Sequence, residues 1–247
     1  MTAYVERASY RAVLRDDASE EALEAAVAAA ASDARVRVHE GELLTAGLYR
    51  YHNQLFLYLE HIYEGQGGGE DGVASRPNLV PKRCALPDFA AIRRAPAVWR
   101  WLDGLLVPFP GLRGLEPWAY MCPVFWFDEP TTPESYLRRP APDERCGRIA
   151  VLQPDKLMDY VCHHQAIVRE GRLVGDRFQF ISIHDDVLFS YFERPRDRGK
   201  RNITGSQRPS SEITRWLAVD PTSHFDHFPE ANGDDFLVIE PLFSCGR

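Results

Sequence analysis

Cysteine is scarce in this sequence, and none of it forms a recognisable motif. The chain has five cysteines at scattered positions, namely Cys84, Cys122, Cys146, Cys162 and Cys245. Without a Cys-x-x-Cys pair, nothing indicates a zinc knuckle, and an odd, scattered set argues against a disulfide framework. We therefore expect a reduced, cytoplasmic protein.

Long apolar runs and basic blocks are also missing. No apolar run approaches the ~20 residues of a membrane span, and the first residues, Met-Thr-Ala-Tyr-Val-Glu-Arg, lack the apolar core of a secretion signal. Acidic residues outnumber basic ones by 36 to 29, and no lysine-rich block is present. We expect a protein that binds neither a membrane nor nucleic acid.

Convincing cofactor motifs are absent as well. No P-loop, Gly-x-Ser-x-Gly or Cys-x-x-Cys-His motif is present, and the glycine-rich stretch at 65–72 carries Glu70 and Asp71, whose charges would repel a phosphate. Neither His-Glu-x-x-His nor His-x-His occurs. We expect no cofactor and no metal.

The sequence does contain an internal repeat. Leu55–Glu60, reading Leu-Phe-Leu-Tyr-Leu-Glu, resembles Leu188–Glu193, reading Leu-Phe-Ser-Tyr-Phe-Glu. Shorter matches keep the same order along the chain: Ala12–Leu14 with Ala150–Leu152, Arg100–Leu102 with Arg215–Leu217, and Glu129–Pro130 with Glu240–Pro241. Matches in register order indicate a duplicated unit.

Each half shows the same predicted order of elements: a strand, a helix, a hairpin, a second helix and a last strand. This β-α-β-β-α-β order is that of a ferredoxin-like unit. We predict an α+β fold in which two tandem ferredoxin-like units, 1–130 and 147–247, form an intramolecular α/β-barrel pseudo-dimer. A proline-rich linker at 131–146 would join them, and the polar loops 65–81 and 195–211 are candidate lids. Either a monomer or a homodimer is compatible with this organisation.

One helix of the second half carries a candidate proton-transfer pair. Tyr160 and His164 are four residues apart, so both side chains project from one helical face. Histidine and tyrosine suit acid/base work near neutral pH. Trp216 is a candidate apolar wall for a substrate, and His163 is a weaker neighbour of the pair.

The second half also resembles a known family in sequence. The matching segments are Ala150–Leu152, Asp155, Tyr160–His164, Gln179–Phe180, Leu188–Glu193 and Arg215–Trp216. Together they resemble the L-rhamnose mutarotase family of the dimeric α/β-barrel proteins, over roughly residues 147–243. The resemblance implies a small-molecule substrate and makes His164 a catalytic candidate.

This sequence departs from that family at several positions. Phe180 stands where the family has a hairpin tyrosine, which makes it a candidate binding residue rather than an acid. Ala22 and Ala26 stand in the first half where Tyr160 and His164 stand in the second. The first half is therefore interpreted as a degenerate copy.

Three further polar residues are candidates with two interpretations each. Glu193 is either a buried general base or the partner of a nearby arginine. Arg215 either binds substrate or is a solvated helix arginine. His184 either contributes to binding or belongs, with Asp185 and Asp186, to a turn.

Three functions are compatible with these features. The first is a cofactor-independent acid/base isomerase, of mutarotase or epimerase type, acting on a sugar or another cyclic hydroxylated molecule. The second is a natural-product cyclase of polyketide type, or a cofactor-free monooxygenase, of the same barrel superfamily. The third is a non-catalytic accessory protein that binds a small molecule.

Overall fold

The computed structural model describes residues 3–64, 99–111, 114–197 and 203–247. The predicted lid 65–81 lies outside these residues. The sequence predicts the second helix of the first half over 88–106, and most of that range also lies outside them. The elements of the first half are β1 (Ala3–Leu14), α1 (Glu20–Glu40), β2 (Leu43–Tyr51), β3 (Gln54–Glu64), α2 (Arg100–Asp103), β4 (Leu106–Val107), β5 (Phe109–Gly111), β6 (Gly114–Glu116) and β7 (Ala119–Trp126). Those of the second half are β8 (Glu144–Leu152), α3 (Leu157–Glu170), β9 (Phe180–His184), β10 (Val187–Arg194), α4 (Ser211–Leu217), β11 (Phe225–Asp226) and β12 (Leu237–Gly246).

Helix α1 begins where the sequence predicts but ends later. Ser19 caps its N-terminus, accepting a hydrogen bond of 3.2 Å from the backbone N–H of Ala22. The alanine-rich sequence predicts a helix over Ser19–Ala31. The helix continues to Glu40 and ends at Gly41, whose φ of 87° lies in the left-handed region that favours glycine.

The strands close into one antiparallel barrel. The first half contributes β7-β1-β3-β2 and the second contributes β12-β8-β10-β9, which is the same order of equivalent strands. β7 pairs with β9, and β12 pairs with β2, so the two sheets join at both edges into eight strands. The predicted fold is confirmed: it is α+β, with two tandem ferredoxin-like units forming an intramolecular α/β barrel. The unit boundaries at 130 and 146 stay a prediction.

Strand alternation separates the barrel interior from two outer helical layers. Leu55, Leu57 and Leu59 face outward and pack in the core beneath α1. Phe56 and Tyr58 face inward and meet their repeat counterparts. Phe56 stacks on Phe189 at a centroid distance of 5.4 Å, and Tyr58 stacks on Tyr191 at 3.9 Å. The two copies of the repeat therefore meet inside the barrel.

Candidate functional site

The candidate site lies in the outer layer of the second half, beneath α3. This helix crosses the outer face of the sheet between β7 and β11. Gln165 anchors it to β7 through hydrogen bonds of 3.2 and 3.0 Å to the carbonyl oxygens of Pro123 and Val124. On the other side, the Tyr160 ring packs edge-to-face on Phe225 at 5.7 Å. The helix is thus fixed over the sheet at both sides.

Tyr160 and His164 form a stacked pair on the buried face of α3. Their ring centroids are 3.8 Å apart, with an interplanar angle of 23°. Both residues are buried. The spacing of four residues predicted this shared face, and the contact confirms it.

The protonation state of His164 follows from its backbone contact. Its Nδ1 lies 2.9 Å from the carbonyl oxygen of Tyr160. Because a carbonyl oxygen only accepts hydrogen bonds, Nδ1 carries the proton and Nε2 presents a lone pair. Burial lowers the pKa of His164 from 6.5 to about 4, since it disfavours the charged imidazolium. The side chain is therefore a neutral base at pH 7.

Aromatic side chains from other elements surround this histidine. Trp216 of α4 packs edge-to-face on His164 at 4.8 Å and on Tyr160 at 5.7 Å. Phe125 of β7 contacts the His164 ring at 5.4 Å. The base thus sits among apolar ring faces, which could also bind the flat apolar face of a ligand.

Glu170, the last residue of α3, fixes the start of α4. Its carboxylate accepts a 2.9 Å hydrogen bond from the backbone N–H of Ser211 and others from the Ser210 and Ser211 hydroxyls. Burial would raise the pKa of Glu170, but these donors outweigh burial and hold the pKa at about 2. Because α4 carries Trp216, this contact positions the aromatic wall of the site.

Two more histidines meet a shared carboxylate beside the pair. His224, which is buried, has its Nε2 2.9 Å from an oxygen of Asp159. The other Asp159 oxygen lies 3.7 Å from Nε2 of His163. The hydrogen bond with His224 lowers the pKa of Asp159. Trp216 contacts both imidazoles, at 5.5 Å for His163 and 4.8 Å for His224.

An arginine completes the layer beneath α3. Arg148 lies on the outer face of β8, opposite Ser190 and Val238 in the sheet. Its Nε donates to Oγ of Ser190 at 3.3 Å, and its guanidinium lies 4.4 Å from the Phe236 ring centroid. Burial, reinforced by the charge of Arg196, lowers the pKa of Arg148 to about 10.

Sequence reasoning missed His224 and Arg148 as parts of this layer. His224 follows α4 in an irregular segment where no periodicity places it. The acidic Asp159 on α3 was the available signal, because it shares a helical face with His163 and calls for a partner. Arg148 lies in a strand that the repeat predicts. Strand alternation places its side chain on the opposite face of the sheet from that of Ile149.

Two of the predicted site residues lie inside the barrel, across the sheet from His164. Phe180 contacts Tyr58 at 5.8 Å and lies 4.8 Å from the Arg7 guanidinium. Glu193 accepts a 2.9 Å hydrogen bond from Arg138 and one of 2.6 Å from the Tyr191 hydroxyl. Glu193 is therefore the partner of an arginine, which is one of its two expected interpretations. The sheet separates Glu193 from Tyr160 and His164.

The same arginine binds the repeat counterpart of Glu193. Arg138 makes two 2.7 Å hydrogen bonds to the carboxylate of Glu60. For Glu60, burial would raise the pKa, but the charge of Arg138 and the hydrogen bonds from Arg138 and Tyr58 together outweigh burial, and the pKa is lowered. For Glu193, burial dominates and the pKa is raised. One guanidinium from the predicted linker thus joins a carboxylate of each half.

The remaining predicted residues lie outside the cluster. His184 ends β9, where its Nδ1 is 3.3 Å from Asp185 and its ring is 5.6 Å from Phe109. Arg215 is an exposed helix residue whose Nη1 pairs with Glu212 at 2.8 Å. The structure therefore brings together Tyr160, His163, His164 and Trp216, and it places Phe180, His184, Glu193 and Arg215 elsewhere.

Other features of the described residues bear on ligands. A groove of about 500 Å³ runs along α1 in the first half, and at its rim Arg50 pairs with Glu20 at 2.6 Å. None of the predicted site residues lines it. Within the described ranges, no group of three or more His, Cys, Asp or Glu side chains could hold a metal ion. No helix in those ranges is long and apolar enough to cross a membrane.

Comparisons with known proteins find similar solved structures but no match to a family model or a curated protein. No protein-family model and no curated protein matches the sequence. A solved structure from Fusobacterium nucleatum subsp. nucleatum ATCC 25586 is similar at 9% identity and a TM-score of 0.41, covering 100% of this chain and 96% of that one. Another, from Lactobacillus acidophilus NCFM, is similar at 5% identity and a TM-score of 0.45, covering 98% and 96%. Both are described, provisionally, as monooxygenases. Likenesses of this size carry no inference about activity.

Proposed function

We propose that the protein is a cofactor-independent acid/base isomerase of mutarotase type, acting on a sugar or another cyclic hydroxylated molecule. The observation that supports this is the state of His164. Its imidazole is neutral, and the Nδ1 atom, not Nε2, makes the hydrogen bond with the backbone. The ring stacks on Tyr160 and contacts Trp216 edge-to-face. A general base must be unprotonated at the working pH and held in one orientation.

The proposed reaction exchanges the anomers of a reducing sugar. Nε2 of His164 takes the proton of the anomeric hydroxyl while the bond between the anomeric carbon and the ring oxygen breaks. The ring oxygen receives a proton from a water molecule, which gives the open-chain aldehyde, and the imidazolium of His164 returns the proton it took to the resulting hydroxide. Rotation and the reverse steps close the other anomer, so no atom is gained or lost.

Tyr160 and Asp159 suit the accompanying proton movements. Burial raises the pKa of Tyr160, so its phenol keeps its proton and acts as a hydrogen-bond donor. Asp159 is half exposed and contacts both His163 and His224. That carboxylate connects His163 and His224 to solvent and suits proton exchange at these two imidazoles.

The ring-lined surroundings of His164 favour a second candidate, a cyclase of polyketide type. Phe125, Tyr160 and Trp216 all contact the imidazole. A planar polyketone would stack in such a layer, and the same Nε2 would remove an acidic C–H proton before ring closure. Both candidates thus depend on the same base.

Magnetisation-transfer NMR on a panel of reducing sugars tests the proposal, since it measures anomer exchange at equilibrium. We expect accelerated exchange with the wild type and a loss of about 10²-fold or more in His164→Gln. His39→Gln, in the last turn of α1, is the matched control and should keep the full rate.

Three other results would change the conclusion. Exchange at the wild-type rate in His164→Gln would contradict the role of that base. Conversion of a polyketone that His164→Gln abolishes, without sugar exchange, would favour the cyclase. Binding of a sugar without turnover of any substrate would favour an accessory protein.

A further inference from the structure

We propose that the substrate of this site carries a carboxylate or an equivalent oxyanion, and that the Arg148 guanidinium binds it. This inference rests on the proposed function for the location of the site, and it names the class of substrate. Neutral sugars would then be poor substrates, and acidic sugars such as uronic acids would be good ones.

Arg148 belongs to the same ring cluster as the proposed base. Its guanidinium lies 4.4 Å from the Phe236 ring, and Phe236 contacts Phe225 at 5.8 Å. Phe225 in turn contacts Tyr160 at 5.7 Å, and Tyr160 stacks on His164. The charge of Arg148 also acts on Tyr160, opposing the rise in its pKa that burial causes. A ligand in this layer would lie between a cation and a base.

Part of the Arg148 guanidinium is available to donate hydrogen bonds to a ligand. Its Nε is bonded to Ser190, whereas neither Nη atom makes a hydrogen bond or ion pair with any residue in the described ranges. Those two Nη donors form the fork that binds carboxylates in a bidentate manner. Phe192, at 5.4 Å, and Phe236 hold the plane of that fork.

Among the residues that the structure describes, no carboxylate is paired with the Arg148 guanidinium. Asp176 is the buried carboxylate whose charge acts most on the pKa of Arg148. It lies 3.5 Å from Nη1 of Arg196, so it is already paired with a different arginine. Asp234 is exposed, and water and salt screen its attraction. Arg196 adds a second positive charge. A half-buried guanidinium in this setting is stabilised by an incoming anion.

Matched ligand pairs test the inference directly. D-glucuronate and D-glucose differ at the carboxylate and are compared in the exchange experiment. Benzoate and benzamide are compared by saturation-transfer difference NMR, which reports binding without turnover. The variants are Arg148→Gln, Arg148→Lys and a control, Arg194→Gln, which removes an exposed arginine that pairs with Glu144.

We expect the wild type and Arg194→Gln to prefer each anion over its neutral partner. Arg148→Gln should reduce that preference by roughly tenfold or more, because the charge-assisted bidentate contact is lost. Arg148→Lys keeps the charge and should retain part of the preference. Thermal unfolding of each variant shows whether it is folded, and Arg148→Lys serves if Arg148→Gln is not.

The outcomes separate this inference from the proposed function. Equal binding of anionic and neutral ligands in the wild type, or a preference that Arg148→Gln leaves intact, would overturn the inference. His164-dependent exchange of glucose that ignores Arg148 would do so while supporting the proposed function. Arg148-dependent benzoate binding without exchange of any sugar would support the anion site and contradict the isomerase.

Discussion

At His164 the helix backbone decides the chemistry of the side chain. The Tyr160 carbonyl fixes the proton on Nδ1, and burial keeps the ring neutral. The sequence predicts that Tyr160 and His164 share a face, because helical spacing is a local property. It could not predict the tautomer or the lowered pKa, since both depend on Trp216 and Phe125, which come from distant elements.

The buried neutral state of His164 makes stability depend on pH. Its folded pKa of about 4 lies below the ordinary 6.5, so the unfolded chain binds more protons between these values. Stability from this residue is complete above pH 6.5 and is lost as the pH falls towards 4. Between pH 7 and pH 5 the loss is about 2 kcal/mol.

Urea unfolding at the two pH values measures this loss. His61, whose pKa burial also lowers to about 4, contributes to the same dependence in the wild type. The informative quantity is therefore the difference between wild type and His164→Gln, in which the histidine contribution disappears. An identical pH dependence in both proteins would show that His164 is not buried in its neutral form.

Helices α3 and α4 show which local features a sequence reveals and which it hides. The repeat predicts a helix over Asp155–Glu170 and a hairpin that ends at Arg194, and in the structure α3 ends at Glu170 and β10 ends at Arg194. Glu170 contacts Ser210 and Ser211, which follow it in the sequence by 40 and 41 positions. No short-range sequence pattern indicates this contact. Residues 198–202 of the predicted lid 195–211 lie outside the described residues.

Removal of the Glu170 carboxylate should loosen α4. In Glu170→Gln the negative charge at the helix N-terminus is lost, which weakens the helix by about 1 kcal/mol. Hydrogen exchange of the amides of residues 211–217 should become roughly fivefold faster, since 1.4 kcal/mol corresponds to tenfold. The substrate KM should rise, because Trp216 is less well held.

Glu212→Gln provides the matched comparison for that change. Glu212 pairs with the exposed Arg215 on the same helix, and such surface pairs contribute little. Its amide exchange should stay near the wild-type rate. The hydroxyl oxygen of Ser210 also caps α4, accepting a 3.1 Å hydrogen bond from the backbone N–H of Ile213. Equal exchange in Glu170→Gln and the wild type would mean that this cap alone holds the helix start.

The whole molecule follows from the repeat to a large extent. Two β-α-β-β-α-β units predict two sheets that pack face to face as an intramolecular α/β barrel. The structure adds the edge pairing of β7 with β9 and of β12 with β2, which closes the barrel. Strand alternation predicts that Tyr58 shares a face with Glu60 and that Tyr191 shares one with Glu193, but it does not show which face points to the helices. That choice depends on packing across the barrel, where the two tyrosines stack. Arg138, from the predicted linker, was not anticipated.

Arg138 joins both halves, so its loss should destabilise the whole barrel. Arg138→Met leaves the carboxylates of Glu60 and Glu193 buried without their shared cation. Breaking a buried ion pair at one partner lowers the free energy of unfolding by about 3–5 kcal/mol. Urea unfolding measures the change.

A compensating variant distinguishes charge from packing in that result. Adding Glu60→Gln and Glu193→Gln to Arg138→Met removes the unpaired charges and should restore much of the stability. Arg194→Gln, at the exposed pair with Glu144, should change it by less than about 1 kcal/mol. A loss as small as that in Arg138→Met would contradict the role assigned to the buried network.

The proposed chemistry requires His164 to be a neutral base whose Nε2 carries a lone pair. Nitrogen chemical shifts of ¹⁵N-labelled histidine, assigned by comparison with His164→Gln, report both the tautomer and the pKa. We predict a proton on Nδ1 and a lone pair on Nε2 at pH 7, with protonation near the pKa of about 4. A proton on Nε2, or an imidazole that titrates at its ordinary 6.5, would contradict the proposed chemistry.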